Sequence, residues 1–390
     1  MGGRLMKSTG QELFRIELLA ARHGDCILIS YGPANAPYRV LIDGGPLSIY
    51  PALSARLYQI PEAERRLELL VISHIDSDHI GGIVKLLGDK GLDLRYQELW
   101  FNGWNQITQP LHPWSSPPLT PPSARTTRSP LEGDFVGLLV KRSGAPWNAS
   151  FRGQAICIDR AADPAEVKLD GGLKLTLLSP DVTALKDLRS SWSKARERQT
   201  FDANNPEALQ AKLDAAKRYR TRGTAQPVLS TSVVEELTGV AEQLDDAVAN
   251  GSSIAFIAEY QGKRCAFLGD AHMPVVEATL GRLAKRYNEV RVRIDAVKVS
   301  HHGSKGNTTD RFLKLIDCHR YLISTDGSQF GHPDDEAIAR IVQGGSKPIE
   351  LHFNYLNDRT RRWADDDLQR SLGYRAFFPT AGDGVTLDLL

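Results

Sequence analysis

Between Ser73 and Gly82 the chain reads Ser-His-Ile-Asp-Ser-Asp-His-Ile-Gly-Gly, so four side chains able to hold a metal ion, His74, Asp76, Asp78 and His79, fall within six residues. Imidazole nitrogen and carboxylate oxygen are the common donors for Zn, Mn and Fe. The string follows an apolar run, Leu67 to Ser73, and precedes a helical pattern. A turn at that junction would aim alternate side chains at two adjacent ions. The competing reading, an exposed acidic loop with idle histidines, accounts poorly for such density beside an apolar strand.

Two later strings also close apolar runs: Phe267-Leu-Gly-Asp270-Ala-His272 and Val297-Lys-Val-Ser-His301-His302-Gly303-Ser304. Residues remote in sequence meet when they share a sheet edge. A carboxylate such as Asp270 can bridge two cations ~3.5–4 Å apart and hold between them a hydroxide of depressed pKa. Alone, Gly-Asp at a strand end reads as a turn and His-His as a solvated pair; the first string changes the weight of both. The segment Gly303 to Thr309 has two even readings. Its amides, Lys305 and the following helix N-terminus would cradle an anion, or it is an ordinary loop with Thr308 or Thr309 as helix cap. His332, before Pro333, reads as a leaving-group acid, a phosphate contact or a structural cap. His23 reads as a rim residue or, more simply, a loop histidine.

The elements that must position these groups follow from pattern. Phe14–Ala20, Cys26–Tyr31 and Tyr38–Asp43 read as three strands, followed by a helix near Leu53–Tyr58, a buried strand to Ser73 and a helix from about Ile80 to Leu87. Strands are expected again at Ser252–Glu259, Lys263–Leu268, Asp295–Ser300 and Arg320–Ser324. Helices near 274–287, 309–316 and 334–342 alternate with them. Two stretches break the alternation, a Pro/Ser/Thr-rich segment at about 106–132 and a helical excursion at about 182–240. The excursion carries Lys194, Arg196, Arg198, Lys212, Lys217, Arg218, Arg220 and Arg222, interleaved with Asp187, Glu197, Asp202, Glu207 and Asp214. It would guide a polyanion, but the interleaving favours a solvated helix face or subunit contact.

The 390 residues carry 48 Lys+Arg against 47 Asp+Glu, so net charge selects no partner, and 41% hydrophobic residues exclude a mainly disordered chain. No run reaches the ~18 apolar residues of a membrane span, and the N-terminus lacks a signal-peptide core. Cys26, Cys157, Cys265 and Cys318 form no close pairs and read as free thiols, which together predicts a cytosolic protein without membrane partners.

On these residues the chain resembles the metallo-β-lactamase-fold hydrolases, and among them the hydrolase domain of ComEC-type competence proteins. The matching features are Gly24-Asp25 before a strand, Leu41-Ile-Asp43-Gly-Gly45, His-x-Asp-x-Asp-His at His74 to His79, Gly269-Asp270, His301-His302-Gly-Ser304 and Gly331-His332-Pro333. The wider superfamily has His where Asp76 stands. The resemblance implies an α/β fold, an αββα sandwich of two mixed sheets flanked by helices, as one domain over 1–390 with both insertions near the active-site rim. It implies two divalent ions, Zn or Mn, with Fe a competitor because Asp76 hardens the site. His74 and Asp76 would serve one ion, Asp78 and His79 the other, and Asp270 both, with one of His301 and His302 completing the second ion's shell. Asp43 would orient the motif loop. Many members add a histidine between the main motif and the bridging Asp; only His112 lies in that interval, and His272 is the other source. The implied activity is metal-dependent hydrolysis through a bridging hydroxide, with Asp78, Asp270, His332 and Lys305 as catalytic groups. The expected substrate is a phosphodiester in nucleic acid or a nucleotide-like molecule. The alternatives are an ester, lactone or amide hydrolase, and a non-catalytic metal-binding subunit.

Overall fold

A computed structural model describes residues 11–113, 130–198, 229–380 and 384–390. Its strands are apolar on successive residues because most are covered on both faces. In Ile27–Pro33, Ile27 and Ile29 enter one apolar cluster and Leu28 another; in Ala255–Tyr260, Phe256 and Ala258 oppose Ala255 and Ile257 in the same way. Three clusters result. One lies between two sheets, and the others lie between each sheet and its own helices. The expected αββα sandwich is therefore present.

The first sheet has six strands in the order Val385–Asp388, Glu12–Leu18, Ile27–Pro33, Tyr38–Ile42, Leu69–Val71 and Leu99–Trp100. The second has eight: Tyr374–Phe377, Ile349–Phe353, Arg320–Ile323, Ala296–Lys298, Lys263–Phe267, Ala255–Tyr260, Lys174–Ser179 and Glu166–Lys168. Antiparallel pairs form one end of each, from Val385–Asp388 to Tyr38–Ile42 in the first and from Lys263–Phe267 to Glu166–Lys168 in the second. Parallel pairs join Tyr38–Ile42 to Leu69–Val71, and Lys263–Phe267 to Ala296–Lys298 and on to Arg320–Ile323. Their carboxyl ends therefore share one edge.

The motif helix spans Ser77–Gly88, three residues earlier than its apolar period suggests, so Asp78 and His79 lie in its first turn rather than in a loop. A Cβ at Gly82 would lie 2.0 Å from the Gly44 carbonyl oxygen, so Gly81-Gly82 lets the helix press on the Gly44-Gly45 turn. The first insertion contains a short helix, Trp104–Thr108, and gives way to Pro130–Ser143, a helix its composition concealed. The second opens with Val182–Glu197 and ends with Thr231–Thr238. Arg196 there pairs with Asp134 and lies over the Trp104 ring, a structural contact. Lys212, Lys217, Arg218, Arg220 and Arg222 fall outside the described residues. All four cysteines are buried free thiols, and among the described residues no helix is long and apolar enough to cross a membrane.

Candidate metal centre

Five loops leave strand ends at the shared edge and converge. They carry Asp43, His74 to His79, Asp270, His301-His302 and Ser324. Backbone and side-chain bonds stitch the two sheets together here: Ile254 N donates to Ser73 O at 2.9 Å, and Ser324 Oγ to Gly24 O at 2.8 Å. Asp43, His301 and His302 all adopt positive φ, at 57°, 46° and 55°. Side chains other than glycine take this conformation at a cost, and such residues concentrate where a side chain must be aimed.

The aim is inward. Donor atoms of His74, His79 and Asp270 lie within 4.8 Å of one another, as do those of Asp78, His79 and His302. The two oxygens of Asp270 face different sides. Oδ2 is 3.7 Å from His74 Nε2 and 3.8 Å from His301 Nε2; Oδ1 is 3.4 Å from His79 Nε2 and 3.8 Å from His302 Nε2. Asp76 Oδ2 is 3.7 Å from His74 Nε2, and Asp78 Oδ2 is 3.5 Å from His302 Nε2. The exposed side carries Asp76 and His301, and the deep side Asp78, His79 and His302.

Each imidazole is held from behind at Nδ1. His79 donates to Asp43 Oδ2 at 2.8 Å and His302 to the Ser324 carbonyl at 2.9 Å, with Asp25 Oδ1 3.4 Å away. His74 Nδ1 sits 3.0 Å from Ser73 Oγ, whose own proton goes to Asp43 Oδ2 at 2.6 Å. These partners place the proton on Nδ1 and leave Nε2 a bare lone pair. A third close triad, Asp25, Asp43 and His79, is this supporting layer. Conversely, His74 Nε2, His79 Nε2, His302 Nε2 and Asp270 Oδ1 are buried with no hydrogen-bond partner. Four convergent buried polar atoms without partners are costly unless something fills the space between them. A divalent cation pair fits that donor set.

Electrostatics follow the same geometry. Burial would raise the Asp270 and Asp78 carboxyls, but the surrounding histidines hold both below the ordinary range. His301 is raised to about 9 against the effect of burial, by Asp270 and Asp245. Glu132, from the first turn of the Pro130–Ser143 helix, is pushed up to about 8 by burial and then by Asp76 and Asp78. Its neighbour Gly133 lies against Ile75 and Trp192, so the end of the first insertion covers the motif loop.

His74, Asp76, Asp78, His79, Asp270, His301 and His302 are thus brought together. His332 borders them, its ring 5.0 Å from that of His301 and its buried Nδ1 3.6 Å from Asp334 Oδ1. Half-buried His23 also lies near Asp78. Lys305 is not brought in. Its ammonium donates to Glu336 Oε1 at 2.9 Å, and the amides expected to cradle an anion are already taken, Lys305 N by Asp334, Gly306 N by Ser304 Oγ and Asn307 N by Ser304 O. The capping alternative is the one realised, with Thr309 Oγ1 accepting from Phe312 N. His112 is exposed, and nothing among the described residues ties it to the cluster; His272 Nε2 faces the Ala247 carbonyl at 3.0 Å. Neither supplies the extra histidine. Sequence reasoning missed Glu132 and Asp245, which no motif contains, and the buried Lys298, whose ammonium pairs with Asp25. An ionisable residue inside the run Ala296 to Val299 was the available signal for the last.

Residues 21–133 match the family model described as the metallo-beta-lactamase superfamily, a span that includes Asp43 and the His74–His79 motif but not Asp270 or the histidine pair. Similar solved structures include the metallo-beta-lactamase fold protein YhfI from Bacillus subtilis, at 10% identity over 97% of this chain and 100% of that one, with a TM-score of 0.39. Zn(2+)-bound PqqB from Methylobacterium extorquens is 13% identical over 97% and 100%, with a TM-score of 0.41. A single-residue mutant of CmlA beta-hydroxylase is 12% identical over 98% of this chain and 55% of that one, with a TM-score of 0.35. No curated protein sequence matches the chain.

Proposed function

We propose that this chain, which carries a metallo-beta-lactamase superfamily domain within that fold, is a metal-dependent hydrolase acting on a phosphodiester. The observation that carries the reading is the set of inward Nε2 atoms and the Asp270 oxygen, buried, unpartnered and backed by fixed Nδ1 contacts. His74 and Asp76 would hold one ion, and Asp78, His79 and His302 the other. Asp270 would give one oxygen to each. When bound, two divalent cations supply Lewis acidity toward substrate oxygens and lower the pKa of water. The chain's own part is to hold these donors in place, to offset cationic charge with Asp76, Asp78 and Asp270, and to present His332 beside the cleft. Asp76 hardens the donor set, which suits Mn or Fe as well as Zn.

Support for phosphate comes from geometry. The two non-bridging oxygens of a phosphodiester match a pair of cations, whereas an ester, lactone or amide offers one carbonyl oxygen. On the rim, Gly331 leaves room for the Arg359 guanidinium, with Nη2 2.8 Å from where a Cβ would sit, next to His332. The test is protein reconstituted with Mn or Zn and offered a chromogenic phosphodiester, DNA, RNA and cyclic nucleotides beside lactone and β-lactam substrates. Phosphodiester turnover should require metal and fall on the order of 10²–10³-fold in Asp270→Asn, the scale for removing one charge-stabilising group. Asp270-dependent cleavage of a lactone or β-lactam with every phosphodiester untouched would overturn the substrate class.

A further inference from the structure

Three imidazoles of the centre are backed by motif residues or their neighbours, and the fourth is not. His301 Nε2 faces Asp270 Oδ2, the oxygen that His74 also faces, while His79 and His302 face Oδ1. His301 therefore stands on the side of His74 and Asp76, where a first ion would have only those two residues and Asp270. Its Nδ1 meets two acceptors, Asn307 Oδ1 at 3.0 Å and Asp245 Oδ2 at 3.2 Å. Asp245 is itself fixed. Its Oδ2 accepts from Asn250 Nδ2 at 2.8 Å and Asn307 Nδ2 at 3.0 Å, and its Oδ1 from Ala247 N at 2.9 Å. Asn250 Nδ2 also lies 3.3 Å from His301 Nδ1.

Asp245 belongs to no motif. It arrives on the segment after Thr231–Thr238, just beyond the helical insertion, and that segment is pressed onto the histidine loop. Asp245 N donates to Gly306 O at 3.3 Å, and a Cβ at Gly306 would lie 2.9 Å from Gln243 O and 3.0 Å from Asp245 N. Gly306 is thus needed for backbone approach rather than for binding an anion.

We propose that His301 is the remaining protein ligand of the first ion and that Asp245, with Asn307, is the positioning residue that fixes its proton on Nδ1 and its bare Nε2 toward the centre. The segment just beyond the insertion then backs the histidine that completes the shell, in place of one between the main motif and Asp270. A carboxylate behind a ligating imidazole raises its basicity and sets its orientation, and losing it typically weakens binding 10–100-fold.

This inference rests on the dinuclear reading, and the experiment separates the two. Metal affinities are measured by competition with a chromophoric chelator, and stoichiometry by elemental analysis, for wild type, Asp245→Ala, His301→Ala and the double variant. Near-UV circular dichroism checks the native fold, and Asp245→Asn replaces Asp245→Ala if the latter loses it. Wild type should bind two ions, and Asp245→Ala should weaken one of them 10–100-fold with the other within about twofold. His301→Ala should weaken the same ion at least as much, and Asp245→Ala should add nothing in its background, which a merely structural role would not produce. Two unchanged affinities in the folded Asp245 variant, or a full additional loss on top of His301→Ala, overturns the inference alone. Fewer than two ions in wild type after reconstitution overturns the dinuclear reading itself.

Discussion

Asp43→Asn exchanges one oxygen for an amino group, yet the structure gives it a directional consequence. Asp43 is fully buried, and its Oδ1 accepts from Ser73 N at 2.7 Å, while Oδ2 accepts from Ser73 Oγ at 2.6 Å and His79 Nδ1 at 2.8 Å. The asparagine oxygen must keep the Ser73 amide, because its NH₂ would meet that N–H donor to donor. The NH₂ then faces Ser73 Oγ, which can rotate and accept, and His79 Nδ1, which can accept only by giving up its proton. A neutral imidazole without a proton on Nδ1 carries it on Nε2. That hydrogen points at Asp270 Oδ1, 3.4 Å away, in the space a second ion would occupy. Affinity for that ion should fall 10–100-fold, or about 1.4–2.7 kcal/mol. The cost to folding is smaller, because the Ser73 amide stays paired and only charge assistance is lost, about 1–2 kcal/mol. At ~2.1 cal/mol/K per residue, a chain of 390 residues unfolds with about 0.8 kcal/mol/K, so the metal-free Tm should drop only about 1–3 °C. Chelator competition reads the affinities, with Asp78→Ala marking which ion is the second. Wild-type affinity at the site that Asp78→Ala weakens would refute the tautomer argument.

Removing metal should lower stability: with each ion at 100 times its Kd the pair contributes about 5 kcal/mol, so EDTA should reduce Tm by about 6–7 °C by calorimetry, and an unchanged Tm in a protein shown to bind two ions would contradict it. Lys298 is wholly buried against Asp25, and burial would raise that carboxyl had Lys298, and then His302, not outweighed it. A carboxyl held below its unfolded value contributes stability above that value and loses it as pH falls through the folded one. Lys298→Ala removes the ammonium that pairs with this buried charge and should cost about 3–5 kcal/mol, or 4–6 °C in Tm, by thermal unfolding at pH 7. A variant as stable as wild type would mean that the pair is not maintained.

The candidate donors were legible in the sequence because ligand chemistry is local: His74, Asp76, Asp78 and His79 crowd six residues, and their apolar flanks announce a strand and a helix. The layers were legible for the same reason, since strands buried on both faces leave unbroken apolar runs such as Cys26–Ile29 and Leu69–Ile72. The short closing strands Tyr374–Phe377 and Val385–Asp388 left no such run, being half-buried pairs whose partners lie far away in sequence, and the Pro130–Ser143 helix was hidden behind a Pro-rich approach.

Direction was decided only by the tertiary structure. His301 and His302 are the same residue type side by side, but successive left-handed conformations and two unrelated backings, Asp245 with Asn307 for one and Ser324 with Asp25 for the other, turn their Nε2 atoms to opposite oxygens of Asp270. Lys305 has the charge to bind an anion, yet Glu336 from a later helix holds it. What a side chain can donate is fixed by its covalent chemistry, whereas where it points, and whether its charge is still free, depends on torsions and partners contributed by residues tens to hundreds of positions away.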